Sequence, residues 1–400
     1  MSSRTVIALA LAGSLTLAAC GSGSSGGDSG SSASGPIKIG MVAPLTGPYA
    51  PLGAGDKAAA EQEVKKINAA GGIDGRTIEL TVKDDKSEVP QSVSAYNQFA
   101  NDRTYSAVLS SANVSASTAI GPSAISTKTP TLTLGPVTAY ADGSNPYAFT
   151  IPATPVVYAK KMVEYFSAQG IKTLSIAYNG KDVYGPTGNE GTKAAAQEAG
   201  IKIVLDAPFD PGATDFTPLI TKVKAAKADA FLLWAAGPAP VIITKQLQGT
   251  GIKLYGTGAN ASNLYIEPSG KAAEGVVMSS SIAVPGAQLP AGPLKTLVDD
   301  FATPWQAANN GVYPPQFAFD GVTGIQLLKA AIEKAGSTDR SAIRDALEGL
   351  DVLTPTGRFT YTKTNHSGLT SDAVAIVQVE DGKLRATDFS LEQFATSLPK

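Results

Sequence analysis

The chain has 400 residues, 43% of them hydrophobic and 16% charged, with a net charge of −2. That length exceeds one compact domain and suggests two lobes, while the near-neutral charge and the lack of any basic cluster argue against nucleic acid as a partner. A single cysteine, Cys20, and a single histidine, His366, exclude a disulfide framework and any Cys/His metal cluster built from this chain alone. They also leave most enzyme chemistries without their usual side chains, and no cofactor is expected.

The first twenty residues read as an export signal. Arg4 opens it, Val6 to Leu17 is an apolar run too short for a membrane span, and Leu17-Ala18-Ala19-Cys20 follows. This end resembles a bacterial lipobox, which implies lipidation of Cys20 after removal of residues 1–19. Gly21 to Gly35 is a Gly/Ser tether. The expected order is lipid, leash, then folded body, placed outside the cytoplasm on a cell membrane.

From Pro36 strand-like and helix-like segments alternate, the pattern of an α/β fold with a mainly parallel sheet. Ile37 to Val42 is a β-branched strand. It runs into a Pro/Gly-rich loop carrying Thr46, Tyr49 and Leu52, and then into a helix from about Ala54 to Ala70 with Ala60, Val64 and Ile67 on one face. Loops at the carboxyl ends of such strands are where open α/β sheets hold ligands. Thr77 to Lys83 is the second strand, closed by Asp84 and Asp85, which are read as solvated carboxylates at a strand terminus. Ser87 is expected to cap the next helix, whose inner face holds Val89, Val93, Tyr96 and Phe99.

The order IKIGMVAPLTGPYAPLG, EQEVKKINAAGGIDGRTIELTVKDD and a capped helix resembles the substrate-binding proteins of branched-chain amino acid type ABC transporters. PYAFTIPATP, VYGPTGNEGTKAAAQEAG, FAFDGVTGIQLLKAAIEKAGSTDR and AIVQVEDGK extend the similarity nearly to the C-terminus. The resemblance implies the class I periplasmic-binding-protein fold: two doubly wound parallel-sheet lobes joined by a three-crossing hinge. Residues 36–152 with 285–353 would form the first lobe, and 153–284 with 354–400 the second. Closure over a ligand needs no reaction, so an enzyme is not expected. The implied role is capture of a small solute and delivery, by a monomer, to the permease and ATPase subunits of an importer. A sensory or regulatory protein with the same hinge is the alternative.

Strands follow at Ala107 to Leu109 and Thr131 to Leu134, with Ser115 placed as a helix N-cap and Thr138 on the second strand's exit loop. By resemblance Ser115 and Thr138 hold a ligand carboxylate, with a helix N-terminus favouring the anion. Tyr184 and Leu52 match cleft positions, and Trp234 ends a second-lobe strand. Where amino-acid binders of the family place a carboxylate for the ligand ammonium, this chain has Gly258, with Asn260 and Asn263 nearby as neutral substitutes and Asp320 as a further acidic residue that could reach the cleft. Ala236 also replaces a tyrosine that some members carry. The ligand therefore stays open between a branched-chain or related amino acid and a small carboxylate, aromatic acid or amide. His366, in Asn365-His366-Ser367-Gly368, is read as a surface turn residue.

Overall fold

The computed structural model describes residues 35–398. Strand β1 (Ile37–Ala43), helix α1 (Ala50–Ala69), β2 (Ile78–Asp84), α2 (Val89–Asn101), β3 (Tyr105–Ser110), α3 (Val114–Thr127), β4 (Thr131–Thr133) and β5 (Ala148–Thr150) come first. Their strands form a five-stranded sheet ordered β2-β1-β3-β4-β5, parallel throughout. The chain then crosses to α4 (Pro155–Ala168), β6 (Thr173–Asn179), α5 (Tyr184–Glu198), β7 (Lys202–Phe209), α6 (Thr217–Ala226), β8 (Ala230–Trp234), α7 (Pro238–Gln246), β9 (Leu254–Gly256), α8 (Asn263–Ser269) and β10 (Val277–Ser281).

It returns through α9 (Pro293–Ala308), α10 (Gln316–Ala335), α11 (Arg340–Leu347) and a hairpin of β11 (Asp351–Thr354) and β12 (Gly357–Thr360). A third crossing leads to β13 (Val374–Glu380), β14 (Lys383–Ala386) and α12 (Asp388–Ser397). The second sheet is ordered β14-β13-β10-β9-β8-β6-β7. It departs from an all-parallel layout because β13 and β14 run antiparallel at one edge. Strand β13 enters antiparallel to β10 after the third crossing, and Asp381 (φ 51°) and Gly382 (φ 69°) then make a two-residue turn with both central residues left-handed that sets β14 antiparallel to β13. The result is two α/β lobes linked by three strand-to-strand or strand-to-helix crossings.

In the first lobe, Ile39 and Met41 of β1, Leu109 of β3, Leu132 of β4 and Phe149 of β5 share a core with Val64 and Ile67 of α1 and Leu328 and Ile332 of α10. Helices α1 and α10 approach so closely that a methyl group on Gly321 would sit 2.3 Å from the main-chain oxygen of Asp56. Glycine at that position is what lets the two backbones touch.

Several local expectations are corrected. Helix α1 begins at Ala50, so Leu52 lies in its first turn rather than in a loop. Asn113, not Ser115, caps α3: its side-chain oxygen accepts from the Ser115 and Ala116 amides at 3.0 and 3.3 Å. Ser87 is not a helix cap either. Its hydroxyl donates to Thr46 O and accepts from Tyr49 N, tying two loops together. Asp85 is not solvated: it is fully buried and accepts from Ser87 N, Ser92 Oγ and Ser111 Oγ at 2.8, 2.7 and 2.5 Å. Beside it Asp84 accepts from Leu45 N, Thr46 N, Thr46 Oγ1 and Lys86 N. These hydrogen bonds hold its carboxyl below the usual carboxylate range against a desolvation that pushes the other way.

His366 is likewise buried, not on the surface. Its ring stacks on Phe149 with centroids 4.0 Å apart and its Nδ1 lies 2.9 Å from Ala148 O. Burial pushes its pKa down, so the neutral ring is favoured. The polar turn around it misleads because Asn365 satisfies the Ser367 and Gly368 amides with its own side chain, leaving the imidazole to fold under β5.

Asp85→Ala would strand two buried hydroxyls and an amide. We expect it to lower the unfolding free energy by about 3 kcal/mol, read by urea denaturation; a loss near zero would show that the acceptor is dispensable.

Candidate functional site

Between the lobes lies a cavity with about 550 Å³ of unfilled space, counting its mouth. The first lobe contributes Tyr49 and Leu52 at the start of α1, Asn113 and Val114 at the start of α3, Leu134 and Pro136 after β4, and Gln316, Phe317 and Asp320 along the first turns of α10. The second lobe contributes Tyr158 of α4, Asp182 and Tyr184 at the start of α5, Ala236 after β8 and Ala259 after β9. All but the α4 and α10 groups sit at carboxyl ends of parallel strands or just beyond them, where side chains converge without having to cover a sheet face.

The two walls touch. Ser115 Oγ accepts from the Val183 amide at 3.2 Å, and Gln316 donates to Tyr158 Oη at 2.8 Å while accepting from Ser281 N at 3.0 Å. Ser115 therefore joins lobe to lobe but does not line the cavity. Thr138 is not on the cavity wall either; it starts a short 3-10 turn, and its hydroxyl is buried without a hydrogen-bond partner. Tyr184 and Leu52 do face the cavity. The Tyr184 hydroxyl donates to Thr257 Oγ1 at 2.7 Å, and burial raises its pKa, so it stays a neutral donor.

Trp234 lies behind that wall rather than in it. It is fully buried, its indole donates to Thr192 Oγ1 at 3.0 Å, and its ring meets Tyr184 edge to face at 5.3 Å. It therefore acts on the cavity only by fixing Tyr184. Gly258 is buried in a tight spot: a Cβ there would fall 2.9 Å from the Gln316 amide and 3.0 Å from the Tyr158 ring. A carboxylate-bearing residue at that position has no room while Gln316 bonds Tyr158. Asn260 closes a capping box with Thr257 and donates to Ala235 O at 3.2 Å. It lines a neighbouring apolar groove with Pro48, Pro238 and Val241, which shares Leu52, Ala259 and Phe317 with the cavity. Asn263 starts α8 and lines neither space. Cys20 lies outside the described residues.

The charged groups on the wall are all acidic. Asp320 is buried and burial alone pushes its pKa well above the carboxylate range. Asp182 is raised to about 6 by burial, against hydrogen bonds from Gly185 N and Asn179 Nδ2 that pull it down. Tyr49 is pushed up to about 12 by burial and then by Asp182. Behind Asp320, on α1, Asp56 is fully buried and both its oxygens lack a hydrogen-bond partner. No group of three or more His, Cys, Asp or Glu among the described residues is arranged to hold a metal.

Sequence reading missed Tyr158 and Gln316, which look like ordinary helix-face residues, and Asp182, whose place two residues before Tyr184 on a strand-exit turn was a usable signal. Asp182 also carries a pH test. An acid whose folded pKa of about 6 exceeds its ordinary 3.8 stabilises the fold at low pH, and that contribution is lost as pH climbs through about 6. Wild type should lose on the order of 2 kcal/mol of stability between about pH 4 and pH 7 that Asp182→Asn does not lose, read from paired denaturation curves; parallel pH profiles would refute the assignment.

The sequence matches the periplasmic binding protein family over residues 36–383. It is 31% identical to Leu/Ile/Val-binding protein homolog 3 of Brucella melitensis, over 87% of this chain and 92% of that one. It is 28% identical to the Leu/Ile/Val-binding protein BraC3 of Rhizobium johnstonii, over 88% and 94%. Among solved structures, an extracellular ligand-binding receptor from Rhodopseudomonas palustris superposes with a TM-score of 0.82 at 24% identity, over 88% of this chain and 99% of that one. The branched-chain amino acid transporter substrate binding protein LivJ of Streptococcus pneumoniae, solved in complex with isoleucine, gives 0.77 at 23%, over 88% and 98%. At those identities the structural likeness speaks for the fold.

Proposed function

Because the chain belongs to the periplasmic binding protein family, in its class I branched-chain amino acid type, we propose that it is a solute-binding lipoprotein that hands a small solute to an ABC importer. It captures the solute between its lobes outside the cytoplasm. The observation that carries this reading is a cavity walled from both lobes and sealed by hydrogen bonds across the cleft. Its enclosed volume is about 50 Å³, so a solute enters only as the lobes part, and its wall is mostly apolar with a few polar groups.

The relatives are substrate-binding proteins rather than enzymes, and the wall here offers no nucleophile paired with a base. Capture works by population shift: a solute touching both walls favours the closed form by its differential affinity for it. Branched-chain or related amino acids, small carboxylates, aromatic acids and amides are the candidate solutes for a wall whose apolar part is Leu52, Val114, Leu134 and Phe317. The placement of Ser115 and Thr138 off the wall weakens the expectation that those two side chains hold a carboxylate directly. Asn113 and the first amide of α3 are the groups at that end of the cavity.

Two measurements test the reading. A melt screen of the body from Pro36, freed of carried-over ligand, against those four solute classes should show stabilisation of about 2.7 kcal/mol for a true ligand at a hundred times its dissociation constant; a blank screen would count against solute capture. The anchor rests on Leu17-Ala18-Ala19-Cys20 and the tether after it. In the full chain, Cys20→Ala should abolish lipidation and free any cleaved product from the membrane fraction, and a cleaved, unlipidated product that still pellets with membranes would remove the lipid from the proposal.

A further inference from the structure

We infer that Asp320 and Asp56 form a single two-carboxylate site for the cationic group of the solute, and that the site releases a proton when the cation arrives. The inference rests on the solute-capture reading and names the chemistry at one end of its cavity. Asp320, 2% exposed, lines the cavity from α10, and Asp56, 0% exposed, stands behind it on α1. The close approach of the two helices at Gly321 keeps the pair together. Both Asp56 oxygens lack any partner. A buried carboxyl on a cavity wall with an unpartnered carboxyl behind it is an expensive arrangement, since neither group caps a helix or closes an ion pair.

The surroundings supply no countercharge. Sharing the cavity wall with Asp320 are Tyr158 from α4, Tyr184 and Asp182 from the α5 turn, and Tyr49 ahead of α1, while Gln316 and Phe317 lie on Asp320's own helix. Glu63, two turns along α1, is engaged by Gln326 of α10 at 3.1 Å. Among the described residues no Lys, Arg or His lines the cavity. With no countercharge beside it, each carboxyl is pushed well above its usual range by burial, with Asp56 pushed further by Asp320, and the empty pair keeps both protons.

An incoming ammonium reverses the balance. One proton leaves to solvent, one carboxyl ionises against the bound cation and the other stays protonated; net charge is conserved, because one positive charge enters as another departs. This also accounts for Gly258. The cation is held from α10 and α1 in the first lobe, so the loop after β9 has no need of a carboxylate and instead makes room for the Gln316 to Tyr158 bond.

Three probes with one branched skeleton separate the charges: leucine carries ammonium and carboxylate, 3-methylbutylamine only ammonium, and 4-methylpentanoate only carboxylate. Calorimetry on the ligand-free protein, in two buffers of different ionisation enthalpy, should show leucine and the amine binding with release of about one proton, and affinity for leucine rising about tenfold from pH 6 to pH 7. Asp320→Asn should weaken both ammonium probes on the order of a hundredfold, without lowering the melting temperature of the empty protein, and Asp56→Asn should flatten the pH dependence. If 4-methylpentanoate binds wild type as tightly as leucine, or leucine affinity is the same at both pH values, the cation site is wrong and solute capture stands. If none of the three binds but an uncharged solute shifts the melt, this inference alone falls; if the broader screen is blank as well, both fall.

Discussion

The carboxylates at the end of β2 hold the cavity's front edge in place. Asp84 takes four donors from the loop that leaves β1 and from its own turn, and Asp85 takes three, one each from its own turn, α2 and the segment after β3. A Pro/Gly-rich loop has no ladder of its own to hold its course, so these bonds replace one. Once the loop is fixed, α1 must begin at Ala50, and that start sets the positions of Tyr49, Leu52 and Asp56 in turn. Had the loop been free, three of the groups that shape one side of the cleft would have no defined place.

The opposite side is ordered by volume rather than by hydrogen bonds. Gly188 lies under the Trp234 indole, where a Cβ would come within 2.2 Å, and Gly258 lies under Gln316 and Tyr158. Small residues here let large ones occupy fixed positions, and the rigidity of Tyr184 follows from the tryptophan behind it. Dense interiors transmit such constraints because they leave nowhere to relax. The same logic explains why Gly258 is not an empty position that a larger side chain could simply fill: its space is taken.

Much of the fold was legible in the alternation of segments, since β-branched strands and helical stripes with glycine stops are local signals. The antiparallel edge of the second sheet was not, because neither the direction in which β13 meets β10 after the third crossing nor the handedness of the Asp381-Gly382 turn shows in hydrophobic periodicity. The cleft was half legible. Tyr184 and Leu52 follow from strand-exit position, but Ser115, Thr138 and Trp234 share that position and face elsewhere, since one residue of shift at a helix start turns a side chain away. Asn113 makes that shift at α3. Asp56 left a readable trace that was passed over: it lies four residues before Ala60 on the stripe that continues to Val64 and Ile67, so an acid sat on an apolar face. His366 and Asp85 were misread for the converse reason, as polar residues whose neighbours disguise their burial.

The wall behind Tyr184 has an optical consequence. The chain has two tryptophans, and the other, Trp305, is packed against Phe301 in α9, on a helix that contributes nothing to the cavity. Trp234 by contrast is in edge contact with a ring that lines it. Intrinsic fluorescence of the unlabelled protein thus contains one emitter that senses the occupancy of the cleft and one that serves as its internal reference.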